Sequence, residues 1–418
     1  MKAGSQVSNE KLKIAFISYR SDPLSGGQGI YIKNVSEALA ELGHKVTVFS
    51  GNPLPKLNGN IRVVEIDTPK YYETFDFFER FKLFRKRTPN LLELTDFLET
   101  SLGIFTEPKF FGKRLSKDKI FLKEFQDFDI FHDNQSLSEY PPFVNDRLVA
   151  TIHHPIHIDK KIDIENEIDF FMKLAIKNWY SFLNFQTKNL KNYRYVICPS
   201  LSSKKDIEKY FKFDTSKIEV LWNGLNIKNH FVDRTQVQKQ SFVSIISSDV
   251  PMKNMKNLLL GFSLIKSEYP SAKLNLVGDL RENNKELIKK LNLEESVVLF
   301  KSLSKDRLID VLEKSDIGVA PSLYEGFGFP LIEMMSMGLP VIVANSGSLP
   351  EIAGDNAIIF NPASPNELAQ KMKMLLRNDS LNKMSSNNSL LRTDDFFGWD
   401  EYARRLEVIY QKILSGIV

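Results

Sequence analysis

Short apolar runs recur along the chain, and most are closed by a polar residue or a glycine-rich turn. "KIAFISY" (13–19) has the unbroken apolar character of a strand buried on both faces. "SDPLSGGQGI" (21–30) reads as a turn. "YIKNVSEALAELG" (31–43) places apolar residues at 32, 35, 38, 39 and 42, a helical spacing, with Gly43 suited to the C-cap. "KVTVFS" (45–50) is the next strand. Residues 13–50 therefore predict a strand–helix–strand unit, the building block of parallel sheets.

The alternation continues through "DIFHD" (129–133), "LVATIHH" (148–154) and "YVICPS" (195–200). A second series follows: "IEVLWNG" (218–224), "SFVSIIS" (241–247), "KLNLVGD" (273–279), "SVVLF" (296–300), "IGVAPS" (317–322), "PVIVAN" (340–345) and "NAIIF" (356–360), with helical stretches such as 305–314 and 330–337 between them. The pattern predicts an α/β chain of two doubly wound domains, 1–200 and 201–395. The boundary is expected near 199–215, at Pro199 and "SLSS", and residues 396–418 form a closing amphipathic helix. Ligands of open parallel sheets lie beyond the carboxyl ends of the strands. Asp133, Asn134, His153 and His154 end two of these strands and mark an expected cleft.

Residues 71–125 break the alternation and read as a helical insertion. "YYETFDFFERFKLFRKR" (71–87) sets Phe77, Phe78, Phe81 and Phe84 near one helical face, with Arg80, Lys82, Arg85, Lys86 and Arg87 around it. Such a stretch suits an anionic membrane surface. The plainer reading is a helix whose phenylalanines pack inward and whose basic residues are solvated.

Composition narrows the classes. The chain has 418 residues, 42% apolar and 26% charged, enough for globular domains and unlike a disordered chain. Its net charge of +4, from 56 basic and 52 acidic residues, is too mild to argue a nucleic-acid partner. The single cysteine, Cys198, excludes an internal disulfide and a multi-cysteine metal site, and suits a reducing compartment. "MKAGSQVSNEKLK" lacks the apolar core of a signal peptide, and no apolar run approaches the ~20 residues of a membrane span. A cytoplasmic protein, at most peripherally attached to the cytoplasmic face of a membrane, is expected.

The strongest chemistry lies in "YEGFGFPLIEMMSMGLPVI" (324–342). A strand runs into a glycine turn and then into a helix with Pro330 near its start. Backbone N–H groups at a helix N-terminus suit an anion such as a phosphate. Glu333, expected in the first turn, would then take hydroxyls, or would simply complement the helix dipole. His153, His154 and His157 raise a metal site, but no acidic cluster accompanies them, and no metal is expected.

Glu325 and Glu333, eight positions apart around "GFGFPLI", resemble the paired-glutamate motif of retaining glycosyltransferases of the GT-B fold. "MMSMGLPVIVANSGSLPEIAGDNAIIFNP", "SGGQGIYIKNVSEALAELGHKVTVFS", "VLWNGLN" and "FFGWDEYARRLEVIYQKIL" are similar to further stretches of glycosyltransferase family 4. The resemblance covers nearly the whole chain outside 52–125. It implies two Rossmann-like domains facing each other across a cleft, with the C-terminal helix returning to the N-domain.

The resemblance also implies roles. Glu325 would contact the donor sugar, near the backbone of Gly326, Phe327, Gly328 and Phe329, and Glu333 would bind ribose hydroxyls. Gly26 and Gly27 would approach the diphosphate, and His153 would lie over the sugar. "SSDVPMKNMKNLL" (247–259) supplies Asp249 and Lys253 to the donor, but Ser248 stands where the family has an arginine. Lys256 competes with Lys253 for the same role. Backbone near Ser302 and Leu303 would read the base. Asp133, Asn134 and His154 are candidate acceptor or sugar contacts. His153, Lys253 and Glu325 are the candidate catalytic residues.

The expected reaction is retaining, metal-independent transfer of a hexose from a nucleotide-sugar, with UDP favoured, to an acceptor hydroxyl. No residue presents itself as a covalent nucleophile, so front-face attack is expected, with the leaving phosphate taking the acceptor proton. The basic, aromatic insertion points to a membrane lipid acceptor such as diacylglycerol or a polyprenyl-linked carrier. A soluble or polysaccharide acceptor is the alternative. A sugar-nucleotide epimerase or phosphorylase and a non-catalytic nucleotide-binding protein of the same build stay open.

Overall fold

The computed structural model describes residues 11–22, 27–225, 237, 239–246, 248–355 and 357–417. Gly26, Ser247, Asn356 and the segment before Lys11, named above, lie outside them.

Among the described residues the strands form two wholly parallel sheets. The first contains β1 (Lys13–Ser18), β2 (Lys45–Ser50), β3 (Arg62–Glu65), β4 (Ile130–Asn134), β5 (Leu148–Thr151), β6 (Tyr195–Cys198) and β7 (Ile218–Val220). Its order is β3-β2-β1-β4-β5-β6-β7, so the winding reverses between β1 and β4. The second contains β8 (Ser241–Ile245), β9 (Lys273–Val277), β10 (Val297–Phe300), β11 (Ile317–Ala320), β12 (Val341–Ala344) and β13 (Ile358–Phe360). Its order is β10-β9-β8-β11-β12-β13, reversing between β8 and β11. Strands β4, β5, β6, β11 and β12 are buried at every position, the last four as their mainly apolar character requires and β4 with His132, Asp133 and Asn134 buried as well.

The chain divides into two compact units. One holds the described residues up to Pro199, then Lys204–Gly224 and the residues from Gly398 on; the other holds Ser200–Ser203 and the described residues of Leu225–Phe397. The strand at 218–220, expected to open the second series, belongs instead to the first sheet. Ile218 lies beside Val196 and Cys198 beside Val220, so it extends the first sheet at the β6 edge. A three-residue strand carries no local mark of which sheet it joins.

The closing helix Trp399–Leu414 belongs to the first unit and packs against the helix Gly27–Glu41. Tyr402 and Tyr410 enter a fully buried polar network. The Tyr402 hydroxyl is 3.0 Å from that of Tyr31, and the Tyr410 hydroxyl is 2.5 Å from His132 Nδ1. His132 Nε2 and the Tyr31 hydroxyl both meet Thr151, at 2.7 and 2.8 Å, so the buried polar groups satisfy one another.

The insertion forms the helices Phe77–Arg85, Leu91–Ser101, Glu107–Leu115 and Lys119–Glu124. Asp76, Asn90 and Asp118 cap three of them through their side chains. Phe77, Phe78 and Phe81 are exposed, Phe84 is half-buried, and Arg85 and Lys86 are exposed. The expected basic rim is only partly present. Arg80 is buried, and its guanidinium donates to the carbonyls of Tyr71, Thr100 and Thr74. Arg87 pairs with Asp67 at 2.9 Å and with Glu93 at 2.7 Å. Lys82 meets Glu79. Arg80 and Arg87 therefore tie the insertion together and are removed from the membrane-facing set.

Candidate active site

In the second unit the loops after β8 and β11 lie at the reversal of winding, where parallel sheets bind ligands. Leu323 donates its N–H to the Met252 carbonyl at 2.7 Å, and Asn254 Nδ2 donates to Pro321 and Pro362 carbonyls at 2.9 and 2.8 Å. Asn254 adopts φ 58°, a left-handed conformation that asparagine tolerates. These bonds bring Lys253 to Glu325, with Nζ 2.6 Å from Oε1. Ser322 Oγ donates to the same oxygen at 2.7 Å. Glu325 Oε2 has no hydrogen-bond partner among the described residues. Lys253 is buried, whereas Lys256 is exposed on the helix Met255–Ser263, which settles which lysine meets the acid.

The loop from Glu325 ends at Gly328, whose φ of 94° turns the chain into the helix Phe329–Ser336. The ring of Phe327 is buried against Phe329 and Phe396, and the Gly326 carbonyl accepts the hydroxyls of Ser200 and Ser203 at 2.8 and 3.1 Å. Glu333 is the fifth residue of this helix, just past the first turn where it was expected, and so poorly placed to complement the dipole. Its half-buried carboxyl has no hydrogen-bond or ion-pair partner among the described residues. Burial pushes it up to about 7, and the charge of Lys305 offsets part of that rise. Ser302, at φ 49°, and Leu303 lie in the turn after β10, just before Lys305, on the same side of the sheet.

Asp249 does not face a ligand. Its carboxylate is buried, accepts the Arg281 N–H at 2.7 Å and the Asn284 side-chain N–H at 2.8 Å, and anchors the helix Glu282–Lys290. Arg281 is exposed, makes no ion pair among the described residues, and is tied next to the exposed Ser248 through Asp249.

In the first unit the ends of β4 and β5 meet. His153 Nε2 is 2.8 Å from Asn134 Oδ1. Asp133, expected at the ligand, is fully buried and turned inward. It accepts the N–H groups of Ser136 and Leu137 at 2.9 and 2.7 Å, and the Tyr193 hydroxyl. Burial pushes it up to about 6, and those bonds oppose the rise. His154 is likewise taken up, 3.1 Å from Asp159. His157 stacks on Tyr210, so the three histidines point to separate partners. A Cβ added at Gly27 would meet nothing within 4 Å among the described residues.

The family model for Glycosyltransferase Family 4 matches residues 25–229, and that for Glycosyl transferases group 1 matches 226–391. The "MMP alpha-(1->4)-mannosyltransferase" of Mycolicibacterium hassiacum is 30% identical over 421 residues, covering 97% of this chain and 99% of that protein. The chain belongs to glycosyltransferase family 4. The transferase is also 25% identical, over 53% of its length and 62% of the other's, to the O-antigen chain mannosyltransferase RfbU of Salmonella typhimurium. Its fold matches sucrose-phosphate synthase from Thermosynechococcus elongatus (TM-score 0.69, 17% identity, 97% of this chain and 100% of that one). It also matches Anabaena HepE in complex with UDP and glucose (TM-score 0.63, 15% identity, 95% and 99%). The glycosyltransferase therefore has the two Rossmann-like domains of the GT-B fold.

Three features of the transferase were not found from sequence. Gly347, at φ 53°, lies so close that a Cβ would fall 2.6 Å from the Glu325 carbonyl oxygen. Ser348 then binds that oxygen through both N–H and Oγ at 3.0 Å. "NSGSLPE" offered the signal, a glycine and serine just past a strand. The helix Phe170–Trp179 has no buried residue, and Phe170 and Phe171 are 67% and 76% exposed.

Proposed function

We propose that this glycosyltransferase moves a hexose from a nucleoside diphosphate sugar to an acceptor hydroxyl, with retention and without a metal. The observation that carries it is the Lys253–Glu325 pair at the reversal of the second sheet, with the Glu333 carboxyl, on the helix that follows, accepting no hydrogen bond among the described residues. Cleavage of the anomeric C–O bond leaves a new charge on the diphosphate. The Lys253 ammonium and the N–H groups at the start of the helix Phe329–Ser336 offset it as it develops. Arg281 supplies the second cation that Ser248 lacks. Glu325 Oε2 accepts a sugar hydroxyl, and Glu333 accepts the ribose hydroxyls. Its half-buried carboxylate gains donors there that the protein itself does not give it. The leaving phosphate takes the acceptor proton, and attack proceeds on the face it leaves.

Two of the relatives are named mannosyltransferases, which supports mannose as the sugar. The family resemblance favours uridine as the base. The acceptor is read as a membrane lipid. The support is the exposed apolar side chains of three helices: Phe77, Phe78 and Phe81 on the first, Leu91, Leu94 and Leu98 on the second, Phe170 and Phe171 on the third.

A thermal-shift screen of UDP-, GDP- and ADP-linked mannose and glucose tests the donor, because preferential binding to the folded state raises Tm. One carrier stabilises the wild type and stabilises Glu325→Gln less. No shift with any carrier sinks the reading. Radiolabelled donor with lipid extract then moves label into the organic phase. Label that stays aqueous in an altered sugar means an epimerase.

A further inference from the structure

Two successive carbonyls of the glutamate loop each accept two hydrogen bonds. The Glu325 carbonyl takes the N–H and the hydroxyl of Ser348, both at 3.0 Å. The Gly326 carbonyl takes the hydroxyls of Ser200 and Ser203, at 2.8 and 3.1 Å. A carbonyl oxygen has two lone pairs, so both oxygens are fully used. All three serines are buried.

These serines come from two distant turns. Ser348 stands at the N-cap of the helix Leu349–Ala353 yet makes no side-chain capping bond there, its hydroxyl going to Glu325 instead. Ser200 and Ser203 lie 126 and 123 residues from Gly326 in the chain. They open the helix Leu201–Phe211, where Ser200 Oγ also accepts the Ser203 N–H at 3.0 Å. The Glu351 carboxylate accepts the N–H groups of Leu201 and Ser202 at 3.0 and 3.2 Å, which seats the whole turn. Ser200–Ser203 accordingly group with the second unit, although the rest of their helix groups with the first.

In a trans peptide the N–H points opposite to the C=O of the same plane. Fixing the Glu325 carbonyl therefore aims the Gly326 N–H away from Ser348. Fixing the Gly326 carbonyl aims the Phe327 N–H away from Ser200 and Ser203. Neither N–H donates a hydrogen bond among the described residues. Backbone donors rarely stay unmatched in a protein, and consecutive ones suit an anion.

We propose that Ser200 and Ser203, together with Ser348, are positioning residues that aim the Gly326 and Phe327 N–H groups at the leaving diphosphate. They act from behind the loop, through its carbonyls. Donors aimed in advance need not reorient as charge develops on the phosphate. The identity of the ligand rests on the proposed function, whereas the aim of the two amides is a property of the folded loop.

The sequence makes both amides readable by NMR. Glu–Gly occurs once in the chain, at 325–326, so 13C′-glutamate with 15N-glycine gives a single correlation, from Gly326. Gly–Phe occurs before Phe262, Phe327 and Phe329, and Gly326→Ala removes the Phe327 signal from the matching spectrum. Inorganic pyrophosphate is the probe, because it carries the terminal charge that a donor acquires only as its sugar leaves. In the full-length wild type it moves both amide protons downfield. In Ser200→Ala/Ser203→Ala the Phe327 response is largely lost, at a temperature where thermal melts show the variant folded. Equal responses in the two proteins, or none in the wild type, overturn the proposal. A wild type stabilised by a nucleotide-sugar whose amides stay still loses this inference alone, and one that no nucleotide-sugar stabilises loses the proposed function as well. Ser203→Ala, which leaves Ser200 in place as the cap, lowers kcat about fivefold with donor KM little changed, since the loss falls on the transition state. A raised KM with kcat intact, or a fall in kcat that only follows the folded fraction, overturns the positioning role.

Discussion

The Lys253 ammonium lies 2.6 Å from the Glu325 carboxylate across 72 residues of chain. Neither side chain chooses the other through local sequence. The pair forms because β8 and β11 are neighbours and the bonds of Asn254 and Leu323 lock the two loops together. An ammonium already held beside an acid is oriented before a phosphate arrives, which is the preorganisation electrostatic catalysis requires.

Replacing Lys253 by Ala removes a cation aimed at developing phosphate charge, and kcat falls about 10²–10³-fold. Glu325→Gln keeps the Ser322 bond, so Tm moves little while turnover is lost. Steady-state rates beside thermal melts check both. A Glu325→Gln enzyme with normal kcat would remove Glu325 from the reaction.

Glu333 gives a pH signature. Its folded pKa, about 7, lies above its ordinary value of 4.5, so the folded state holds the extra proton between those pH values. Stability is then lost as pH rises from about 4.5 through 7. Glu333→Gln melts higher than wild type at pH 8, and the difference vanishes near pH 4.5. Nucleotide affinity of the wild type strengthens over pH 6 to 8 as the carboxylate forms, and calorimetry reads it. A variant that melts below wild type at pH 8 contradicts the assignment.

Asp133→Ala strips acceptors from two buried N–H groups and a buried hydroxyl, at about 1–3 kcal/mol each. Denaturant unfolding should show a loss of about 3 kcal/mol or more. Normal stability with a raised acceptor KM would restore Asp133 to the ligand.

Arg281→Ala removes an exposed guanidinium whose backbone, not its side chain, anchors the helix after β9. Tm stays constant and donor KM rises about tenfold, one ion contact being worth roughly 1.4 kcal/mol. An unchanged KM leaves Lys253 as the lone side-chain cation on the diphosphate.

Phe78→Asp with Phe171→Asp tests the apolar surface. Co-sedimentation with phosphatidylcholine–phosphatidylglycerol vesicles drops, and donor-induced stabilisation persists. If vesicle binding is unchanged, the membrane reading fails. If the wild type is a dimer that this variant dissolves, the surface belongs to a second copy.

What could be read in advance followed from burial. Strands such as β11 and β12 are sealed on both faces, so their sequences are short apolar runs. The glutamate-bearing loop was legible because glycines, a proline and two acids are each unusual in such company. Orientation was not legible. Asp133 and Asp249 sit at the expected loops yet turn inward, and a carboxylate's sequence context is the same either way. Arg80 lies among exposed phenylalanines but is drawn in by carbonyls at Tyr71 and Thr100, a partnership set by tertiary structure. Apolar residues on Phe170–Trp179 face outward, which no periodicity reveals, since an apolar face looks alike whether it meets a core or solvent.

The closing helix Trp399–Leu414 has a consequence for the order of synthesis. Tyr402 and Tyr410 complete a buried network whose other members, Tyr31, His132 and Thr151, are translated hundreds of residues earlier. The second unit, nearly continuous in sequence, is translated before that helix. The usual vectorial order, first-made unit first, is thereby inverted. The earlier half of the chain waits with an unfilled seam, and a helix made after the second unit is the one that seals it.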